Sequence, residues 1–229
     1  MGKRIVVAID GPAGAGKSTI ARGLAARLGF LYIDSGAMYR AVGLWALRAG
    51  LGLDDAHRLE QLARQSHVEL EPAGLRVLLN GEDITEAIRT PEVSQAASRV
   101  SAFGGVRRAM VEEQRRMAAQ NSVVMEGRDI GTVVFPDADI KIFLDADPAE
   151  RAARRLRESA GKGESVDPSE MERQIRERDE RDRTRSEAPL VQAPDAIYVD
   201  STGLTVEQVE ERILRLIRER SSNGKEIAT

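Results

Sequence analysis

The sequence predicts a three-layer α/β domain, in which helices cover both faces of a five-stranded parallel sheet and a small antiparallel β insert interrupts the alternation. Three observations predict it. Short β-branched runs alternate with helical periods, a Gly-rich turn joins the first run to the first helix, and the rhythm changes between Val68 and Ile84. Strands of this kind, buried on both faces, are joined by right-handed crossovers.

Arg4-Ile-Val-Val-Ala-Ile-Asp10 is almost continuously apolar and bounded by glycine, the pattern of a doubly buried strand. In the helical period that follows, Ile20, Leu24 and Leu28 recur at four-residue spacing and Ala21 and Ala25 widen the stripe, until Gly29 stops it. Residues 30–33 read as a second strand and 37–49 as a second helix, closed by Gly50. Val68-Glu-Leu70, a Pro72-Ala-Gly74 turn, the run 75–79 and then Asn80-Gly81, a strong tight-turn signal, spell the antiparallel insert. Helical stretches near 91–99 and 105–119 precede strands at 123–125 and 140–144. Asp147 is expected to cap the next helix, with Pro148 at its first position and Glu150 completing an acidic capping box. Residues 159–167 read as a polar loop, 168 to about 185 as a highly charged helix, 196–199 as the last strand and 206 to about 218 as the last helix, with fraying from Ser221. There is no internal repeat.

The 229 residues suit one large domain, or one domain with a sizeable insert. Lys and Arg number 34 against 37 Asp and Glu, a net charge of −3, which lacks the basic excess of a duplex-binding protein. Without cysteine there is no disulfide, catalytic thiol or thiolate metal site. His57 and His67, ten apart, lack a metal-ligand spacing. Uncharged apolar runs such as Ile5 to Ile9 fall far short of the ~20 residues of a spanning helix, and no leader pattern opens the chain. The expectation is a soluble cytoplasmic monomer that binds neither membrane nor nucleic acid.

Gly11-Pro12-Ala13-Gly14-Ala15-Gly16-Lys17-Ser18, continuing into Thr19, matches G-x-x-x-x-G-K-[ST] in the context that gives the motif meaning, after a strand and at the start of a helix. Glycines there let backbone N–H groups turn onto phosphate oxygens. The helix presents its positive end, Lys17 adds a point charge and the Ser18 hydroxyl can ligate Mg²⁺. A nucleoside triphosphate is therefore expected, in a P-loop fold. Such loops serve switches, motors and kinases alike. The guanine-reading N-K-x-D is absent, and Asp200-Ser-Thr-Gly203, although spaced like a switch motif, reads as a strand-end turn. A kinase for a small acceptor and an ATPase or switch acting on a protein partner both remain compatible with the loop.

Ligands of open parallel sheets bind beyond the carboxyl ends of the strands. The residues expected there are densely charged: 34–40 after the second strand, 126–132 after the third, Asp145 and the following arginines after the fourth. On these segments the sequence resembles the bacterial cytidylate kinases, a branch of the nucleoside monophosphate kinases. The resemblance rests on IDGPAGAGKST (9–19), DSGAMYR (34–40), IRTPEVSQAAS (88–98), EGRDIGTVVFPDADIKIFLDA (126–146), RDERDRTRSEAPL (178–190) and DST (200–202), in order along nearly the whole chain. The 68–84 region resembles the family's own acceptor-side insert. The resemblance implies one domain over 1–229, with a core of 1–60, 100–158 and 186–221, an acceptor-binding insert of about 61–99 and a lid of about 159–167.

It further implies that Ser35, Arg40, Arg128 and Arg185 surround the phosphate of CMP or dCMP. Ser98, Arg107 and Asp129 would read the cytosine edge, Arg178 and Asp182 would hold the ribose, and Arg151 and Arg155 would approach the transferring phosphates from the lid helix. Positions 178, 182 and 185 share one face of a continuous helix, so the spacing can bring three groups to one ligand. Cytosine presents an amino donor and a ring-nitrogen acceptor, which a carboxylate and a cation can match and which uracil would leave unmatched. The expected chemistry is in-line transfer from Mg·ATP, with Lys17, Arg128, Arg151, Arg155 and Arg185 neutralising charge and no general base. Glu126 is a carboxylate able to support the magnesium shell through water.

Overall fold

Val6–Asp10 (β1) is buried at every position, and its alternating side chains serve two different cores. Val6 and Ala8 point into one, Val7 and Ile9 into the other, as a strand sandwiched between helical layers requires. The computed structural model describes residues 4–71, 76–161, 163 and 166–222. After β1 come α1 (Lys17–Leu28), β2 (Leu31–Asp34), α2 (Ser35–Arg48), α3 (Ala56–Gln65), β3 (Val68–Leu70), β4 (Val77–Leu79), β5 (Glu82–Asp83), α4 (Pro91–Val100) and α5 (Gly104–Met117). The chain continues through β6 (Val123–Gly127), β7 (Ile140–Asp145), α6 (Pro148–Gly161), α7 (Pro168–Thr184), β8 (Ile197–Asp200) and α8 (Val206–Ser222).

The main sheet has the order β2-β6-β1-β7-β8, parallel throughout. The expected five-stranded parallel sheet is thus present. The chain leaves β1 toward β2 on one side and later leaves β6 toward β7 on the other. The loops after β1 and β6 therefore diverge at the middle of the sheet, where such folds open a crevice. Register aligns Asp10 with Gly127 and Phe143, and Asp34 with Glu126, so the chemistry-bearing ends of the strands share one edge. One layer gathers Met38, Val42, Leu59, Val100 and Met110 around Ile33 and Met125; the other gathers Ile20, Leu24, Ile213 and Ile217 around Val7, Ile9 and Ile142. Each such fully buried side chain contributes about 1.5–3 kcal/mol of transfer free energy.

The expected insert is a three-stranded antiparallel sheet, β3-β4-β5. Asn80 and Gly81 both take positive φ, 52° and 83°, which identifies the two-residue turn that the Asn-Gly pair predicts. The Pro72-Ala-Gly74 turn lies outside the described residues. Asp147 caps α6 as expected, accepting from the Ala149 N–H at 2.8 Å. The capping box does not close: Thr202 Oγ1 accepts the Asp147 N–H at 2.8 Å, and Glu150 pairs with Arg154 instead. The strand-end turn at 200–202 supplies the hydroxyl that takes up this N–H. The polar loop at 159–167 starts later than expected, because α6 runs on to Gly161; residues 162, 164 and 165 of that stretch lie outside the described residues.

Arg185 also departs from expectation. It follows α7 rather than continuing it, with φ −60° and ψ 140°. The chain turns at Ala188, whose φ is 49°, and the Leu190 N–H returns to the Asp182 carbonyl at 2.7 Å, so the helix is pulled off before a further turn forms. Gly11 fixes how the Gly-rich loop leaves β1. Its φ is 151°, and a Cβ there would lie 1.9 Å from the Leu144 carbonyl oxygen of β7. Gly11→Ala is accordingly expected to cost about 2–4 kcal/mol in urea unfolding. A loss below about 1 kcal/mol would show that β1 and β7 can separate without penalty.

Candidate active site

Loops from the carboxyl ends of β1, β2 and β6, together with α7 and the insert, enclose a cleft of about 520 Å³. Ala13, Gly14, Gly16, Lys17, Ser18 and Thr19 line one end of it. Gly11 and Pro12 lie beneath as the buried base of the loop, and Ala15 faces a second, adjoining cavity of about 360 Å³. Lys17, 5% exposed, donates to the Pro12 carbonyl at 2.7 Å. Burial, with Arg128 beside it, pulls its ammonium from the ordinary 10.5 down to about 7. Ser18 lies beside the carboxylate of Glu126, whose pKa burial and the nearby Asp34 push upward.

Cations converge on the middle of the cleft. Arg128 donates to Asp182 at 2.8 Å and Arg40 to Asp34 at 2.9 Å, while the Ser35 hydroxyl donates to the Glu126 carbonyl at 2.7 Å. Although burial works against it, Arg128 and Arg178 hold the Asp182 carboxyl below its usual value. Arg178 is compensated only in part, by Asp182. Its buried Nε has no partner, and burial plus the neighbouring Arg128, Arg155 and Arg40 bring it from 12.5 down to about 9. Arg155 reaches the cleft from α6, pairing with Glu158 at 2.9 Å on the exposed side. A site so rich in buried positive charge suits an anionic ligand.

The far end has a different character. Arg107 and Asp129, each about 4% exposed, form a direct ion pair, and Arg107 also donates to the Ser101 carbonyl at 3.2 Å. Arg107 stacks over the Tyr39 ring at 5.5 Å. Arg185 lies 3.9 Å from Asp129, and its buried Nη2 has no hydrogen bond; Ser98 Oγ likewise has none. Burial and the nearby Arg107 push the Arg185 guanidinium down. Here a flat polar ring would find a carboxylate, a cation and a free hydroxyl. The structure therefore brings Ser35, Arg40, Ser98, Arg107, Arg128, Asp129, Arg155, Arg178, Asp182 and Arg185 to the walls of one cleft with Lys17 and Ser18.

Arg151 is placed elsewhere. Its guanidinium is 4% exposed and does not line the cleft: it donates to Asp179 at 2.6 Å, to the Ala13 carbonyl at 3.0 Å and to the Ala146 carbonyl at 3.1 Å. Asp179 in turn accepts from the Ala13 N–H at 3.4 Å. Both backbone polar groups of Ala13, its N–H and its carbonyl, are thus tied to α7 and α6. Asp179 escaped the sequence reading, though a signal was there. Met171, Ile175, Asp179 and Asp182 form the buried stripe of α7, so a carboxylate sits where the spacing calls for an apolar residue.

Asp10 also escaped it. This carboxylate closes the apolar β1 run and accepts from the N–H groups of Ile130 at 2.8 Å and Gly131 at 2.7 Å. Residues 130–134 form one wide helical turn with i to i−5 bonds, such as Phe135 N–H to the Ile130 carbonyl at 2.7 Å. Asp10 pins the start of that turn and so sets where Arg128 and Asp129 stand.

Comparison with known proteins bears on this site. The sequence model of the family described as cytidylate kinase matches residues 7–219. A protein named cytidylate kinase from Solibacter usitatus (strain Ellin6076) is 59% identical over 228 residues, covering 99% of this chain and 97% of that protein. Another of that name, from Pelotomaculum thermopropionicum (strain DSM 13744 / JCM 10971 / SI), is 55% identical over 211 residues, covering 91% and 93%. Among solved structures, a gluconokinase from Sinorhizobium meliloti 1021 gives a TM-score of 0.51 at 14% identity, covering 96% of this chain and 97% of that one, a likeness of fold.

Burial raises Asp10 from 3.8 to about 6, against the opposing pull of the two N–H groups. Folding thus favours its acid form: the contribution is complete below pH 3.8 and is lost as the pH climbs through about 6. The stability of Asp10→Asn relative to the native protein should therefore rise between pH 4 and pH 7 by on the order of 2–3 kcal/mol. Urea titrations at both pH values check this, and a constant difference would mean that Asp10 is ionised across the range.

Proposed function

The chain belongs to the cytidylate kinase family, and we propose that it transfers the γ-phosphoryl group of ATP to CMP and dCMP, giving CDP and dCDP. The observation that best supports this reading is the juxtaposition, in one cleft, of the Gly-rich loop and the buried Arg107–Asp129 pair with Ser98 beside it. The first holds phosphates, and the second matches the amino and ring-nitrogen edge of cytosine. Asp129 would accept from the amino group; Arg107 and Ser98 would donate toward the ring nitrogen and carbonyl. Uracil would leave a buried group unmatched.

The acceptor phosphate is assigned to Ser35, Arg40, Arg128 and Arg185, and the ribose to Arg178 and Asp182, with Arg178 adding to the phosphate field from among Arg40, Arg128 and Arg155. Residues 61–99 serve as the acceptor-binding insert; within them Val77, Thr85, Ile88 and Ser94 face the cleft. The purine of ATP is placed in the adjoining cavity, where Leu204, Val206 and Val209 offer apolar surface. There Arg154 is held flat by bonds to the Ser201 carbonyl at 2.8 Å and hydroxyl at 3.0 Å. The lid, about 159–167, closes over both and excludes water that would otherwise hydrolyse ATP.

The acceptor phosphate, with a second pKa near 6, is mostly ionised at neutral pH, so the chain need not supply a base. Its task is to bring two polyanions together in line. Lys17 regains full charge as phosphate oxygens reach it, because they offset the burial and the cations that depress it. Arg128, Arg155 and Arg185 neutralise the equatorial charge. Arg151 contributes from behind, by fixing the Ala13 peptide with Asp179. Magnesium fits the donor end, because the Ser18 hydroxyl, exposed to the cleft, and the carboxylate of Glu126 behind it are oxygen ligands of the kind it takes. Ser18 would hold it, and when bound it neutralises charge between the phosphates. The reading extends to a monomer in the cytoplasm. Among the described residues no helix is long and apolar enough to cross a membrane, and the large exposed apolar side chains are Val191, Tyr198 and Val206.

Asp129→Asn keeps the shape of the base-reading carboxylate and removes its charge. It should lower the ratio of kcat/KM for CMP over UMP at least tenfold, whatever happens to either alone, since about 1.4 kcal/mol of discrimination is lost. An unchanged ratio would remove Asp129 from base reading.

A further inference from the structure

Glu126 sits at the end of β6 with 4% exposure, and its carboxylate has three neighbours on the cleft side: Ser18, Lys17 and Asp34. Behind it stands Tyr32 of β2. The Tyr32 hydroxyl donates to Glu126 Oε1 at 2.8 Å in a fully buried bond. This contact follows from register. Tyr32 is opposite Val124, so Tyr32 and Glu126 lie two positions apart on adjacent parallel strands and share a face of the sheet. The ring is 2% exposed, packed with Val124 and Leu24 in the core shared by α1 and α8, and Arg22 of α1 lies 5.8 Å from its centroid. A phenylalanine would fill the same apolar space. What the tyrosine adds is one hydroxyl, delivered from the adjacent strand to one oxygen of a carboxylate beside the Gly-rich loop.

We infer that Tyr32 is a positioning residue for the magnesium held with the donor phosphates, acting through Glu126. The bond commits Oε1 to the Tyr32 hydroxyl. The Ser35 hydroxyl fixes the Glu126 backbone by donating to its carbonyl at 2.7 Å. The carboxylate is therefore held from rotating beside Ser18, and its second oxygen, not taken by Tyr32, would accept from water around the cation. Glutamate has one more rotatable bond than aspartate, so an unanchored carboxylate here would spread over several rotamers. Tyr32 removes that freedom. With Oε1 so engaged, the carboxylate would not chelate a cation with both oxygens. The inference rests on the Mg·ATP reading of the loop, and the test separates the two.

Wild type, Tyr32→Phe, Glu126→Gln and the double variant are titrated with Mg²⁺ in the presence of N-methylanthraniloyl-ATP, and binding is followed by its fluorescence. The metal-free affinity of the same analogue is measured alongside. Partners that orient metal-binding groups typically change metal affinity by about 10- to 100-fold. Tyr32→Phe is expected to raise the Mg²⁺ midpoint about tenfold while leaving the metal-free affinity within about twofold, a split that a merely structural role would not produce. In the Glu126→Gln background the Tyr32→Phe change should add nothing, because its route is gone. An unchanged midpoint in Tyr32→Phe overturns the inference, as does an equal rise in both backgrounds or a parallel loss of metal-free affinity. Failure of the underlying reading has a different signature: wild type would then bind the analogue with no dependence on Mg²⁺ at all.

Discussion

Holding many cations out of water at one sheet edge is the constraint around which this molecule is organised. Lys17, Arg107, Arg128, Arg178 and Arg185 share a cleft too small to keep them fully solvated. Their mutual repulsion shows in Lys17 and Arg178, both driven downward by burial and by the neighbouring Arg128. Asp182 and Asp129 each neutralise one arginine at short range and leave others compensated only in part. Removing one partner of such a pair costs several kcal/mol, whereas a ligand anion returns stabilisation to every member at once. The cleft is thus built to gain most when two phosphate-bearing ligands are present together.

The scaffold makes that arrangement rigid. β1 supplies both the Gly-rich loop and Asp10, which reaches across to the turn after β6 and fixes Arg128 and Asp129 relative to Lys17. Arg151 and Asp179 tie the loop to α6 and α7. The Gly-rich loop and the Arg107–Asp129 end of the cleft therefore refer to one buried frame. Placement to within about half an ångström is what in-line transfer demands.

Much of the fold was legible because its signals are local. The β-branched runs mark buried strands, Asn80-Gly81 marks its turn and Asp147 marks a helix start, each through short-range sterics or one hydrogen bond. The strand order was not legible, because β6 slips between β1 and β2 by pairings more than ninety residues apart. For the same reason the cleft residues were found as a set while their partners were not. Arg151 looked like other lid arginines until Asp179 and Ala13 were seen to enclose it. Arg185 looked helical until the return of Leu190 to Asp182 ended α7 before it. Tyr32 read as an ordinary strand aromatic, since only the register of β2 against β6 brings its hydroxyl to Glu126.

The central claim is that one cleft joins a triphosphate to a cytosine nucleotide. ADP release from Mg·ATP, measured in a coupled assay with CMP, dCMP, UMP, AMP or no acceptor at equal concentration, tests it most directly. The account predicts rapid release with CMP and dCMP alone, with the nucleoside diphosphate as product. Equal release in the absence of any acceptor would contradict it.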